Sequence, residues 1–150
     1  MSLEKDIHQA RFRNDFQKVV VNVLYTASWV QEQMKNFLKA EDITPQQYNI
    51  LRILKGSNKP ISTLQIRERM LDKMSDTSRL AERLQKKGLV NKATSAEDKR
   101  LVDITITAQG LAVLQRLDER NHDLDAIASN HLSAEEAATL NLLLDKMRIH

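Results

Sequence analysis

Apolar residues recur every three or four positions from about Asp6 to Leu38, at Phe12, Phe16, Val19, Val23, Ala27, Val30, Met34 and Phe37. No Gly or Pro interrupts them, so the period predicts one long amphipathic helix. At 1.5 Å per residue it would run to about 50 Å, more than one small domain covers, and part of its stripe should meet a second subunit. After the acidic link Glu41-Asp42-Ile43, Thr44-Pro45-Gln46-Gln47 supplies an N-cap, a proline at the first helical position and a capping-box glutamine. The helix it opens should end near Gly56. Residues 57 to 61 form a loop with room for a minimal strand. Ser62 with Gln65 then repeats the capping spacing, for a third helix whose buried side is read as Leu64, Met70 and Leu71.

Past the turn Asp72-Lys73-Met74, Ser75 is read as the N-cap of a helix to about Lys87, with Leu80, Ala81 and Leu84 as its apolar stripe. Gly88 closes it in the left-handed conformation, with Leu89 supplying the apolar contact that accompanies such a cap. Opposite the stripe lie Ser75, Arg79, Glu82, Arg83 and Lys86, a mostly cationic face. Leu89 to Thr94 and Arg100 to Ile106 then read as two strands, the second alternating Val102, Ile104 and Ile106 on one side. The polar stretch from Ser95 to Lys99 is the hairpin tip.

A helix-turn-helix from Ser62 to Lys87, followed at once by a basic-tipped hairpin, is the layout of a winged helix-turn-helix. Its second helix suits a major groove about 12 Å wide. The wing tip suits the neighbouring minor groove, where arginine is favoured by narrow A·T tracts. Beyond the hairpin, Thr107 caps a helix whose Leu111, Leu114, Leu117, Leu124 and Ile127 continue to about Asn130. Ser133 with Glu136 caps the last one, lined by Ala137, Leu140, Leu144 and Met147. The fold class is therefore mainly α with a small β-hairpin wing.

The run from Ser78 to Val90, followed by Asp98-Lys99-Arg100 and by Ile106-Thr107-Ala108-Gln109-Gly110, resembles the MarR family of transcription regulators. The family's pattern is a recognition helix T-R-L-V-D-R-L-E-K-K-G-L-V, a wing with D-x-R, then L-T-x-x-G. This chain keeps the arginines, Leu, Gly and D-x-R, with Ser78, Ala81, Glu82 and Ile106 as mild departures and Leu101 where the wing often has Gly. The resemblance implies one domain over 1–150, with dimerisation helices at about 6–38 and 108–150 and a DNA-binding winged lobe at about 44–107. It further implies a homodimeric, ligand-responsive repressor on a pseudo-palindromic operator.

Composition narrows the alternatives. Lys and Arg exceed Asp and Glu by 23 to 20, and the whole excess lies between Ser62 and Thr107, where ten cations face seven acids. There is no cysteine, which excludes disulfides, thiolate metal sites and thiol-based peroxide sensing. Three glycines cannot make a phosphate loop, and no nucleophile-base pair or cofactor motif appears, so neither enzyme nor cofactor is expected. The four histidines have no ligand spacing, and no metal is expected. With no apolar leader and no membrane span, a cytoplasmic protein is expected.

The residues assigned to double-stranded DNA are Ser75, Thr77, Ser78, Arg79, Arg83, Lys86, Asp98, Lys99 and Arg100. Arg79 and Arg83 suit guanine O6 and N7 or phosphate; the bland alternative is a solvated face with Glu82 and Arg83 in local ion pairs. Ser75, Thr77 and Ser78 offer hydroxyls to phosphate, although Ser75 can simply cap and Thr77 can simply pack inward. Arg100 is the minor-groove probe with Asp98 holding it, and Lys86, Lys87, Lys92 and Lys99 supply phosphate attraction. Family members bind small aromatic effectors, which makes Tyr25, Trp29 and Tyr48 candidate ligand contacts, although aromatics at helical spacing are more often core. A second reading is a winged-helix adaptor that binds protein and not DNA; binding to random DNA at low and high salt separates the two.

Overall fold

The computed structural model describes every residue from Met1 to His150. The order is α1 (Leu3–Asp6), α2 (Asp15–Leu38), a 3-10 turn (Lys39–Glu41), α3 (Pro45–Ser57), β1 (Ile61–Ser62), α4 (Thr63–Arg69), α5 (Thr77–Lys86), β2 (Val90–Thr94), β3 (Val102–Ile106), α6 (Ala108–Asp118), α7 (Asn121–Ser129) and α8 (Ala134–Met147). The sheet is antiparallel with order β1-β3-β2, Ile61 facing Ile104 and Val90 facing Ile106. This is the mainly helical, winged architecture that the pattern predicts.

Three capping boxes form as the sequence predicts: Thr44 with Gln47, Ser62 with Gln65 and Ser133 with Glu136. Each is local, a hydroxyl and an amide or carboxylate closing two orphan N–H groups within one turn.

Four expectations change. The first long helix is broken, because His8 takes a left-handed conformation at φ 55° and Asn14 caps a new start by accepting from the Gln17 N–H. The 24 residues of α2 make it about 36 Å long rather than about 50 Å. In α4 it is Ile66, with Met70 after it, that faces the core, while Leu64 and Leu71 are exposed. The helix expected to reach Asn130 is interrupted at Glu119 and Arg120, giving α6 and α7. Finally, the recognition helix is capped by Asp76 and not Ser75, the Asp76 carboxylate accepting from the Arg79 N–H at 3.1 Å.

The main core holds 18 side chains, from Phe37 to Leu117. From α2 only Phe37 and Leu38 are buried, and from α7 and α8 nothing is. One packed lobe therefore carries α3 to α6 and the sheet; the helical arms α2 and α8 leave many of their large apolar residues uncovered, while α7 keeps Leu124 and Ile127 half-buried. No helix is long and apolar enough to cross a membrane.

Candidate nucleic-acid interface

The recognition helix α5 is held by a buried edge of Thr77, Ala81 and Leu84. Asp76 supplies its N-cap, and Gly88, at φ 76°, turns the chain directly into β2. The turn before it is tied to α3, where the Asn49 side chain accepts from the Leu71 N–H at 2.9 Å. With one edge fixed, helical spacing puts Ser78, Arg79, Glu82, Arg83 and Lys86 on the opposite side, and all five are exposed.

None of the nine ion pairs in the chain involves Arg79, Glu82, Arg83 or Lys86. The bland alternative, a face neutralised by local pairs, is absent. Of the three hydroxyl candidates, Ser78 alone is exposed. Thr77 is buried, and its hydroxyl and that of Ser75 have no hydrogen-bond partner. Lys87 is turned to the lobe, its ammonium donating to the Asp42 carbonyl and, at 3.4 Å, to the Gln47 side chain.

The wing is more ordered than a polar tip suggests. Ser95 is buried, and its hydroxyl oxygen accepts from the N–H groups of Glu97 and Asp98 at 3.3 Å each. A serine followed by such a turn was legible as a local hydroxyl-backbone motif, yet hydrophobic alternation gives it no weight. Asp98 then receives the Arg100 guanidinium through two bonds of 3.1 Å and its backbone N–H at 3.0 Å. The guanidinium, with the backbone bond second, holds the Asp98 carboxyl below the usual carboxylate range. The Arg100 side chain is nevertheless 89% exposed, so it is aimed without being covered. Lys99 beside it is exposed and Lys92 half-buried.

Helix and wing are fixed to the following helix at one junction. Thr107 donates its hydroxyl to the Gly88 carbonyl at 2.7 Å, and its oxygen accepts from the Gly110 N–H at 3.0 Å. A Cβ at Gly110 would collide with the Leu89 carbonyl and stand 2.7 Å from Ile106 Cγ1. Behind the junction runs a seam of charge that the sequence does not disclose. Arg52 and Lys55 of α3 both reach Asp118, Arg116 grips Glu41 through two nitrogens, and Arg120 donates to the Phe37 carbonyl at 3.3 Å with its guanidinium 4.9 Å from the Phe37 ring centre. Burial works against the Asp118 charge and is the largest single influence on it, but Arg52 and Lys55 together outweigh it and its pKa is lowered; Arg116 lowers that of Glu41.

The three aromatic candidates are not gathered together. Tyr48 is a core residue whose hydroxyl accepts from Arg52 Nε at 3.1 Å. Tyr25 and Trp29 are half-exposed and line a cleft of about 480 Å³ between α1 and α2, with Glu4, Lys18 and Asn22.

Residues 41–101 match the MarR family model. The chain is 28% identical to the multiple antibiotic resistance protein MarR of Salmonella typhimurium over 76% of this chain and 79% of that protein. It is also 28% identical to the HTH-type transcriptional repressor IacR of Pseudomonas putida, over 76% and 68% respectively. Among solved structures, a MarR transcription factor from Planctomyces limnophilus superposes with a TM-score of 0.68 at 29% identity, covering 90% of this chain and 98% of that one. A mutant MarR from E. coli complexed with operator DNA gives a TM-score of 0.82 over 93% and 100%; at 23% identity that likeness speaks for the fold.

Proposed function

This chain belongs to the MarR family of winged helix-turn-helix transcription regulators, and on that premise we propose that it is a ligand-responsive repressor that binds a pseudo-palindromic operator as a homodimer. It is a DNA-binding regulator and not an enzyme. The observation that carries the finer reading is the row Arg79, Arg83 and Lys86, exposed and free of ion pairs, on a helix beside an exposed and oriented Arg100. Free guanidiniums can make parallel bonds to guanine O6 and N7, and a cationic side chain near phosphate gains affinity from counterion release. Asp98 would hold Arg100 for the minor groove, Ser78 and Lys99 would meet phosphate, and Ser75 and Thr77 would contribute through the helix start. That a MarR of the same fold has been solved in complex with operator DNA supports DNA as the partner.

The homodimer reading rests on the arms. Along α2, Phe16 is 83% exposed and Leu24 67%, and on α8 Leu142 is 71% exposed. Such surface has no partner within the chain, and two copies of the arms covering each other would bury it. The division is then a DNA-binding lobe at about 44–107 and dimerisation helices at about 6–38 and 108–150. Two recognition helices would enter successive major grooves about 34 Å apart. A small aromatic effector, for which Tyr25 and Trp29 are the accessible contacts, would act by preferring one separation of the lobes.

Selection of bound fragments from a random oligonucleotide pool, with light scattering of the complex, tests this. The outcome supporting it is an enriched inverted repeat with half-sites about one helical turn apart, bound by two chains. Absence of enrichment, or binding by a single chain to one half-site, refutes it.

A further inference from the structure

On the outward face of α5, Glu82 is the one acid among Arg79, Arg83 and Lys86. It stands three residues after Arg79 and four before Lys86, and Glu followed by Lys at that spacing is the favoured helical ion pair. Neither pair forms, and the carboxylate is exposed with no partner. The other acid at this end of the helix, Asp76, is already occupied in capping the Arg79 N–H. An uncompensated carboxylate facing DNA repels phosphate and weakens binding to every sequence alike. What it can do that the neighbouring cations cannot is accept a hydrogen bond from a base edge.

Two major-groove donors exist, adenine N6 and cytosine N4. Beside adenine N6 lies the N7 acceptor, which opposes a second carboxylate oxygen. Beside cytosine N4 lies only the C5–H edge. In a G·C pair the guanine O6 is adjacent to cytosine N4, so an arginine on the guanine and a glutamate on the cytosine would also face each other. Arg79, one helical turn from Glu82, is placed to complete that arrangement.

We propose that Glu82 is a specificity-determining residue that accepts a hydrogen bond from cytosine N4, so that each half-site contains a G·C pair read jointly with Arg79. This rests on the DNA-binding reading and adds to it a base that only this carboxylate explains.

The test applies wild type, Glu82→Gln and Glu82→Ala to one random pool, with thermal melting as the check that all three fold. Wild type selects one position per half-site where cytosine dominates. Glu82→Gln moves that position toward adenine, whose N6 and N7 an amide matches, and Glu82→Ala leaves it without preference. Replacing that cytosine by N4-methylcytosine, which fills the free donor direction, weakens wild type about fivefold or more and leaves Glu82→Ala nearly unchanged. Both variants bind random DNA more tightly, with a salt slope steeper by up to about 0.9. An identical cytosine preference in all three proteins, or no penalty from the methylated base, overturns the assignment. Tighter random binding with an unaltered selected sequence also overturns it, since the carboxylate is then only a general brake. If wild type itself selects nothing, it is the regulator reading that fails.

Discussion

Two sets of arginines divide this molecule. Arg52 of α3 meets Asp118 of α6, and Arg116 of α6 meets Glu41 in the 3-10 turn after α2, each carboxylate largely covered and each guanidinium committed to a partner more than sixty residues away. On α5, the guanidiniums of Arg79 and Arg83 pair with no carboxylate, although Glu82 lies between them in the sequence. The first set ties α6 to α3 within the lobe and to the turn that ends α2. The second is left available to something outside the chain. Arg100 combines the two conditions, held bidentately by Asp98 while almost fully exposed. The lesson is that charge count alone does not locate a binding surface; whether each cation already has a partner does.

The largest effect is expected where the regions meet. Gly110→Ala puts a methyl against the Leu89 carbonyl and Ile106, in backbone that cannot yield, and should destabilise by about 3 kcal/mol or more. Denaturant unfolding measures it, and a loss under about 1 kcal/mol would mean the junction is compliant.

Arg79→Ala should cost about 1 to 3 kcal/mol in binding and relax sequence preference, while the melting temperature stays put, since the side chain makes no intramolecular ion pair. Unchanged affinity in a titration would remove its base-reading role. Asp118→Ala should do the reverse, lowering stability by about 1 to 2 kcal/mol as Arg52 and Lys55 lose their acceptor. If it left the melting curve unmoved, the seam would be ornament.

Acid should weaken the seam. Asp118 and Glu41 have lowered folded pKa values, so the unfolded chain binds more protons and stability rises with pH. Their contribution is complete above the ordinary carboxylate range, above roughly pH 5, and is lost as pH falls through the lowered folded values. Stability measured between pH 6 and pH 3 should therefore fall less in Asp118→Ala than in wild type; equal falls would exclude this carboxylate as a source. The smallest effect belongs to Lys99→Ala, which should weaken all DNA alike and make the salt slope shallower by about one. A sequence-dependent loss would instead make Lys99 a base contact.

What the sequence disclosed was local. Capping boxes at Thr44, Ser62 and Ser133, the Gly88 turn and the alternation of the second wing strand are each decided within a few residues, and each formed. The cap of α5 lies one residue past the one the sequence points to, because Ser75 and Asp76 are both good caps and the apolar period does not choose between them. The break before Asn14 leaves no mark in the pattern, because Phe12 and Phe16 keep the helical period while His8, which is neither Gly nor Pro, makes the turn. Around α4, the spacing points Leu64 and Leu71 inward, but it is Ile66 that joins Ile61 and Ile104 in the buried core, and both leucines stay outside. The seam could not be read at all: nothing near Arg52 points to a carboxylate 66 positions on. On the recognition face, the residues were nameable from spacing, but their freedom from ion pairs is a property of the folded surface.

The last helix has one more consequence. Because α8 buries no residue of its own, its order depends on company, and under the proposed assembly company depends on concentration. A scarce copy would display a frayed tail to cellular proteases while a plentiful one shields it. Turnover would then track abundance, and the amount of regulator in the cell would be set partly by the same surface that pairs it.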